Sequence, residues 1–515
     1  HRACETRGDD VACVGVACVR ETDEIVAAFA SGEFAATPRA RDANDDGCDV
    51  VGEIPCGVRA FAWCPDGETC AVMSAEGRVV IMTRDFYPVS ETRGDGGADD
   101  EDAANETTSG ATISWRGDGR YFACSSTNAK TGETTMRVWE REGARVESVG
   151  ETRTASSGTP ATLAAGDGTP ALAWQPRGAL IAAAARSEGD VSDRVVFYER
   201  NGLRRGDFVL PGEGAEITSL AWSADSACLA AATRYRDGAH AVQIWTRSNM
   251  HWYLKHETRY PAREGVVRME WDAERGDVLR AYTERGAIHR YDLFWETTVS
   301  DRGTCAVIDG DCLMLTPMFR TPVPPPMCAA KVVFSAPVIA AAFQPARASR
   351  NETVVALLST GELAYATSDS GTDWALTADN FADSERAATW ARWCDNEIPA
   401  TPYSSGAVAD AAVEHLAWVR DDHLIVAAAR EHETELLLVP FDETKTPGED
   451  AMSRRIVPVA VGALTSANGV AFAVARDSAD LYQVDVTDTI AAGGNAFDDA
   501  WLCLLYTSPS PRDRG

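Results

Sequence analysis

The sequence predicts an all-β chain of small repeated sheets, and three observations predict it. A Trp closing a short apolar run returns at Ala62-Trp63, Ser114-Trp115, Ala173-Trp174, Ala221-Trp222 and Glu270-Trp271, in steps of 48 to 59 residues. A polar turn follows each one: CPDG, RGDG, QPRG, SADS and DAERGD. Each turn leads into a small-residue apolar strand (CAVMS, YFACSS, LIAAAA, CLAAAT, VLRAYT) and then a strand with a bulky residue, at Met82, Trp139, Tyr198, Trp245 and Tyr291. One sheet of about four strands every 40–60 residues is the pattern of β-propeller blades. A β-sandwich also has many short strands, but nothing in a sandwich requires one motif to return at a regular step. The expected architecture is therefore tandem WD-repeat-like β-propellers, the first of about seven blades and truncated at its N-terminus, the second incomplete.

The clearest unit is Ala111–Glu140, with Trp115, the turn at Gly117-Asp118-Gly119, the strand Tyr121–Ser125, a polar hairpin at Lys130–Glu133 and Trp139. Asp-Gly between apolar runs is a strong hairpin signal, because Gly tolerates the backbone angles such a turn needs. Before the first full unit, Val11–Ala36 reads as the remains of another blade. Glu91–Gly110 is acidic and Gly-rich, and Glu147–Gly168 is rich in Thr, Ala and Gly; both are expected as disordered insertions. Pro324, Pro325 and Pro326 cannot occupy a central strand and are expected to mark a domain junction.

The pattern restarts at Ala341-Ala342-Phe343, at Leu416-Ala417-Trp418 and in Ile456–Val486. The expected domains are a first propeller over 1–334 with the acidic insertion 91–110, and an incomplete second propeller over 335–501. Residues 502–515 (LCLLYTSPSPRDRG after Trp501) fit no blade in this reading and resemble translated adapter sequence. The chain opens at His1, so the native N-terminus is expected to lie upstream.

Composition limits the function classes. The formal net charge is −30, lysine occurs only at Lys130, Lys255, Lys331 and Lys445, and no basic run appears. Such a surface repels phosphate backbones. No apolar run approaches the length of a membrane helix. The 14 Cys are scattered without a C-x-x-C pair. Cys64, Cys70, Cys124 and Cys228 lie in or beside apolar strands, which favours reduced, buried thiols in a cytoplasmic or nuclear protein.

Candidate sites each meet a plainer reading. Asp42, Asn44, Asp46, Gly47 and Glu53 satisfy a calcium-loop pattern. That loop must join two helices, yet Pro38 and Pro55 flank it and Asp49 takes a place usually apolar, so a solvated acidic loop is preferred. His415, His423 and His432 lack accompanying ligands and read as turn or surface residues. Asp309-Gly310-Asp311 reads as a hairpin turn. The aromatic segment Asn249–Lys255 (NMHWYLK) reads either as a partner contact or as packing between blades. No nucleophile elbow, phosphate loop or dinucleotide fingerprint is present. No catalytic, cofactor-binding or metal-binding residue is assigned, no cofactor is expected, and the chain is expected not to be an enzyme.

Long strings carry a family resemblance. ISWRGDGRYFACSS with TMRVWERE, PALAWQPRGALIAAA, VVFYERNGLRRGDFVLP, NMHWYLK, CAVIDGDCLMLTPMFRTPVPPPM and VVIMTRDFYPV resemble the N-terminal propeller region of the Elongator complex protein 1 family. The match runs from about Val11 to Val486, dense first and thin later. The resemblance implies a non-catalytic scaffold in a complex that modifies tRNA wobble uridines to carboxymethyl-type derivatives. It implies as partners the catalytic acetyltransferase/radical-SAM subunit and the WD-repeat subunit. Homodimerisation and tRNA contact belong to C-terminal regions beyond this sequence, and no membrane is involved. Two alternatives remain open from the residues: a propeller subunit of a vesicle-coat or transport complex, and a propeller enzyme with ionisable groups at a channel mouth.

Overall fold

The computed structural model describes residues 12–19, 23–38, 48–93, 108–130, 134–143, 145–152, 161–163, 171–187, 190–293, 295, 297–319, 324–345, 351–368, 374, 397–404, 412–429, 432–444, 452–467, 470–476, 478, 480–486, 490 and 502–506. Every named element among them is a strand. The chain divides into two compact units. One comprises 1–244 and 259–293; the other comprises 245–258 and 294–515.

In the first unit, sheets follow one another along the chain. Sheet 1 holds Cys13–Val19, Glu24–Phe29, Glu33–Pro38 and Asp49–Glu53. Sheet 2 holds Val58–Trp63, Thr69–Ser74, Arg78–Thr83 and Pro88–Arg93, and sheet 3 holds Thr108–Trp115, Tyr121–Asn128, Thr134–Glu142 and Arg145–Thr152. In sheet 4 the short runs Ala161–Leu163 and Leu172–Trp174 both pair with Ile181–Ser187, which is followed by Arg194–Tyr198 and Arg204–Val209. Sheet 5 holds Glu216–Trp222, Cys228–Arg234, His240–Ser248 and His251–Tyr260, and the unit boundary passes through its last two strands. Sheet 6 has only Val266–Trp271, Val278–Thr283 and Ile288–Asp292 among the described residues.

The core of this unit lies between consecutive sheets. One apolar cluster joins Val26, Ala28 and Phe34 of sheet 1 to Val58, Cys70 and Val72 of sheet 2. The next joins Met73 and Ile81 to Trp115, Phe122 and Trp139 of sheet 3, and another joins Tyr121 and Val138 to Trp174 and Ile181 of sheet 4. Face-to-face packing of each sheet on the next is what blades require. Ala182, Ala183, Ala230 and Ala231 in the second strands are wholly buried, and their size allows neighbouring sheets to approach.

The recurring Trp ties one sheet to the one before it. Trp115 Nε1 donates to the Ala62 carbonyl at 3.1 Å, Trp222 Nε1 to Ala173 at 3.3 Å, and Trp271 Nε1 to Ala221 at 3.0 Å. Each acceptor directly precedes the Trp of the preceding sheet. A buried indole N–H needs a partner, and an Ala there exposes its carbonyl to the incoming ring. Ser114 replaces Ala in sheet 3, and its Oγ instead accepts the Trp174 backbone N–H at 2.8 Å.

The first strands of these sheets also share a β-bulge, between Val58 and Ala60, Ile217 and Ser219, and Val266 and Arg268. A bulge at a set place increases strand twist.

In the second unit, sheet 7 contains Thr304–Asp309, Cys312–Pro317 and Ala330–Val333, with Glu397–Pro399 added in parallel. Sheet 8 contains Val338–Phe343, Thr353–Leu358 and Leu363–Thr367, with Thr401–Ser404 as its fourth strand. Residues 397–404 thus run as one extended segment that completes two sheets. Sheet 9 contains Ala412–Val419, His423–Ala429, Thr434–Pro440 and Ser453–Val457. Sheet 10 contains Val461–Ala467, Val470–Ala475, Leu481–Val484 and Leu502–Tyr506. The same tie recurs, with Trp418 Nε1 donating to Ala342 at 3.1 Å, and so does the bulge, between Val338 and Ala340, Val413 and His415, and Val461 and Ala463.

Three expectations change. A boundary at 334 falls inside a paired region, because Ala330–Val333 pairs with Glu397–Pro399 and the compact units divide after Leu293. Pro324–Pro326 therefore lies in a connection within sheet 7, where a missing N–H disturbs no ladder. The expected insertion 147–168 is partly ordered, since Arg145–Thr152 closes sheet 3 and Ala161–Leu163 pairs in sheet 4. Residues 502–506 do enter a blade, pairing with Leu481–Val484, because an open strand edge accepts an apolar run whatever its origin. Of the acidic insertion, 94–107 lies outside the described residues.

Candidate functional site

The residues singled out in the sequence do not converge. Asp42, Asn44, Asp46 and Gly47 lie outside the described residues, while Glu53 ends a strand, opposite Glu33. The helix that a calcium loop needs after its last ligand is therefore replaced by a strand. His415 is buried opposite Ala427, and His423 pairs with Val419 four positions further along the same ladder. His423 Nδ1 bonds Asp422 at 2.8 Å, and His432 is exposed. Among the described residues no group of three or more His, Cys, Asp or Glu is placed to hold a metal ion.

The cysteines behave as expected of core thiols. Cys64, Cys70 and Cys124 are buried and free, and Cys228 is half-buried and free. Burial pushes the Cys70 and Cys124 thiols up to about 12, and those of Cys64 and Cys228 up to about 11. A thiol held protonated is neither nucleophile nor metal ligand.

Asn249–Lys255 belongs with the second unit and is mostly packing. Trp252, Tyr253 and Leu254 are buried. His251 Nε2 and the Leu254 N–H both bond the Asp309 carboxylate, at 2.8 and 3.0 Å, and Lys255 Nζ donates to the Ile308 carbonyl at 2.7 Å. Asp309 pairs with Cys312 across a two-residue turn in which Gly310 has φ 63°, so the Asp309-Gly310-Asp311 hairpin stands. Asn249, itself exposed, donates Nδ2 to the Pro325 carbonyl at 2.6 Å, and Met250 projects, 82% exposed.

Two surfaces were not visible in the sequence. In the second unit Trp295 and Phe319 are 71% and 86% exposed; large aromatics so presented are the usual anchors of protein interfaces.

In the first unit, the turns after the recurring Trp abut one another. The Gly117 N–H donates to the Pro176 carbonyl at 3.1 Å, and the Arg177 N–H bonds Ser226 Oγ at 2.8 Å. Over this run three guanidinium groups surround the buried ring of Tyr121, with Arg116 at 4.3 Å from its centroid and Arg120 and Arg200 each at 5.5 Å. Tyr121 OH donates to Glu140 at 2.7 Å and accepts from Arg200 at 3.0 Å. Arg116 pairs with Asp118, and Arg120 with Glu140 at 2.6 Å. The Tyr121 hydroxyl, then Arg120, holds the Glu140 carboxyl below its ordinary range, so it stays charged.

Arg177, which follows the Pro176 that bonds Gly117, is exposed. Arg116 and Arg120 are thus held by carboxylates of the chain itself, and Arg200 by the Tyr121 hydroxyl.

The comparisons with known proteins agree with this architecture. A family model described as "ELP1 first N-terminal beta-propeller" matches residues 3–111 and 95–274, and "ELP1 N-terminal second beta-propeller" matches 307–494. The chain belongs to the Elongator complex protein 1 family. Elongator complex protein 1 of Arabidopsis thaliana is 31% identical over 334 residues, covering 62% of this chain and 24% of that protein. The proteins of the same name from Rattus norvegicus and Saccharomyces cerevisiae are 29% and 28% identical, covering 63% and 60% of this chain and 26% and 27% of their own lengths. The chain thus spans about a quarter of the length of these curated Elongator complex protein 1 relatives. A solved chain from the crystal structure of the mitotic checkpoint complex aligns with a TM-score of 0.40 and 14% identity, over 56% of this chain and 76% of that chain, a likeness too slight to bear on function.

Proposed function

We propose that this chain is the propeller region of an Elongator scaffold subunit, which supports wobble-uridine modification of tRNA through protein–protein contacts and performs no chemistry itself. The observation that carries the reading is the match of both propeller models in order, over 3–274 and 307–494. Its partners on this reading are the catalytic acetyltransferase/radical-SAM subunit and the WD-repeat subunit, in the cytoplasm or nucleus. The exposed Trp295 and Phe319 and the arginines around Tyr121 are surfaces suited to such contacts. The acidic balance, −30, favours protein neighbours over direct contact with RNA.

The test is affinity purification of the tagged full-length protein from its own cells, with mass-spectrometric quantification of what accompanies it. The reading expects the other Elongator subunits in stoichiometric amounts; their absence would refute it.

A further inference from the structure

Among the described residues, Thr-Pro dipeptides occur at Thr37, Thr316 and Thr401. The fold treats them differently. Thr316 is buried, and so is the Oγ1 atom of Thr37. Thr401 and Pro402 are both exposed. They open Thr401–Ser404, the outermost strand of sheet 8. Pro402 has no N–H to give to a ladder, which an edge strand tolerates.

Few contacts hold this strand. Thr401 lies opposite Tyr365 and Pro402 opposite Ala364, and the register shifts before Ser404 meets Leu363. Upstream, Glu397–Pro399 adds to sheet 7, and the Ala400 N–H donates to the Val333 carbonyl at 2.9 Å. Tyr403 is the buried anchor. Its hydroxyl donates to the Pro440 carbonyl at 2.7 Å and accepts from the Asp442 N–H at 2.8 Å. A short edge segment of this kind opens locally at lower free energy than a central strand. Opening offers the Thr-Pro dipeptide as extended chain, the form in which protein kinases take their substrates.

The surroundings of Thr401 are acidic. Across the ladder, Tyr365 shares a hydrogen bond with the Thr401 side chain and stands in the field of Glu443 and Asp442. The Tyr365 hydroxyl donates to the Glu443 carbonyl at 3.1 Å, and the Asp442 and Glu443 residues are exposed. Lys331, which pairs with Glu397 at 3.4 Å, is bound four positions from Thr401, roughly 13 Å along an extended strand.

We propose that Thr401 is a phosphorylation site for proline-directed protein kinases, and that its phosphate releases Thr401–Ser404 from sheet 8. The Thr401 Oγ1 attacks the γ-phosphorus of ATP. The new O–P bond replaces the bond to ADP, which leaves, and the hydroxyl proton passes to the base of the kinase. The phosphate carries about −1.5 to −2 charges near neutral pH and acts on Glu443 and Asp442 by like-charge repulsion. Loss of the ladder then uncovers the edge of Leu363–Thr367. The proposal holds whether or not the chain serves an Elongator complex.

The test treats the full-length protein with ATP and a purified mitogen-activated protein kinase, a proline-directed enzyme, and maps the sites by tandem mass spectrometry. Phosphate is expected on Thr401 and not on Thr37 or Thr316. Thr401→Val removes the acceptor but keeps the β-branched shape that suits a strand, and it passes through the same treatment. Hydrogen exchange of the peptide 397–404 is expected to become at least about 10-fold faster on phosphorylation of the wild type and to stay unchanged in Thr401→Val. An unmodified Thr401 in the folded protein overturns the proposal, as does modification that appears only after thermal unfolding. So does phosphate on Thr401 with unaltered exchange of 397–404, or equal acceleration in Thr401→Val.

Discussion

Trp418→Phe removes one tie between sheets and leaves the rest of the second unit in place. Trp418 is fully buried, its Nε1 lies 3.1 Å from the Ala342 carbonyl, and its ring packs edge-on to Phe441 at 5.1 Å. Phenylalanine keeps the apolar contact but loses the hydrogen bond and leaves a small void; the Ala342 carbonyl still accepts the Val355 N–H of its own ladder. Losing one hydrogen bond to a carbonyl that keeps another donor costs about 0.5–1.5 kcal/mol. The void adds roughly 1 kcal/mol, from the smaller ring and incomplete relaxation around Leu416, Val426 and Val439. A total of about 1.5–2.5 kcal/mol in a unit of this size lowers the melting transition by roughly 3–10 °C. Differential scanning calorimetry of the 515-residue chain reads this directly. Trp295→Ala, at a 71% exposed ring, serves as the comparison and should shift the transition by no more than about 1 °C. Equal transitions for wild type and Trp418→Phe would refute the claim that the recurring tryptophans hold sheet to sheet.

Other outcomes follow from the same geometry. Gly119→Ala should destabilise the first unit by about 1–3 kcal/mol in a thermal melt, because φ is +68° and the new Cβ would come within 2.8 Å of Cys64 Sγ. Iodoacetamide at pH 8 should leave Cys70 and Cys124 unmodified while labelling Cys13 and Cys18, since burial raises the first two to about 12 and the others are exposed; peptide mass spectrometry reads the sites. The hydrogen bond from Arg280, then those from the Glu274 and Arg275 N–H groups, lower the Asp272 carboxyl from 3.8 to about 2. A lowered carboxyl contributes stability that is complete above about pH 4 and is lost as pH falls through about 2. The stability difference between wild type and Asp272→Asn should therefore be present at neutral pH and vanish near pH 2. Trp295→Ala combined with Phe319→Ala in the full-length protein should reduce recovery of a partner subunit in pull-downs without changing the melting profile.

The parts of this fold that were legible in the sequence are those written locally. The Trp, the turn and the small-residue strand are contiguous, and their recurrence located sheets 2 to 6 and sheet 9. The outer strands were not legible. Pro88–Arg93 (PVSETR) and Arg204–Val209 (RRGDFV) lie at sheet edges with much of their length in water, so they carry no apolar rhythm. Residues 397–404 are eight residues whose pairing is decided by strands more than thirty positions earlier, and no local pattern encodes that. The boundary at 334 was misplaced because prolines read as a linker when they in fact lie within a blade. The arginine group at Tyr121 was invisible for a similar reason. Arg116 and Arg200 are far apart in sequence and meet only at the Tyr121 ring, Arg200 coming from the hairpin between Arg194–Tyr198 and Arg204–Val209 of sheet 4.

Elongator function itself is best tested at the product. In cells lacking the full-length gene, carboxymethyl-type wobble uridines in tRNA, measured by liquid chromatography and mass spectrometry, should fall to background. Re-expression of the full-length protein should restore them, and re-expression of a form lacking the region 1–515 should not. Undiminished wobble modification in the deleted cells would contradict the account.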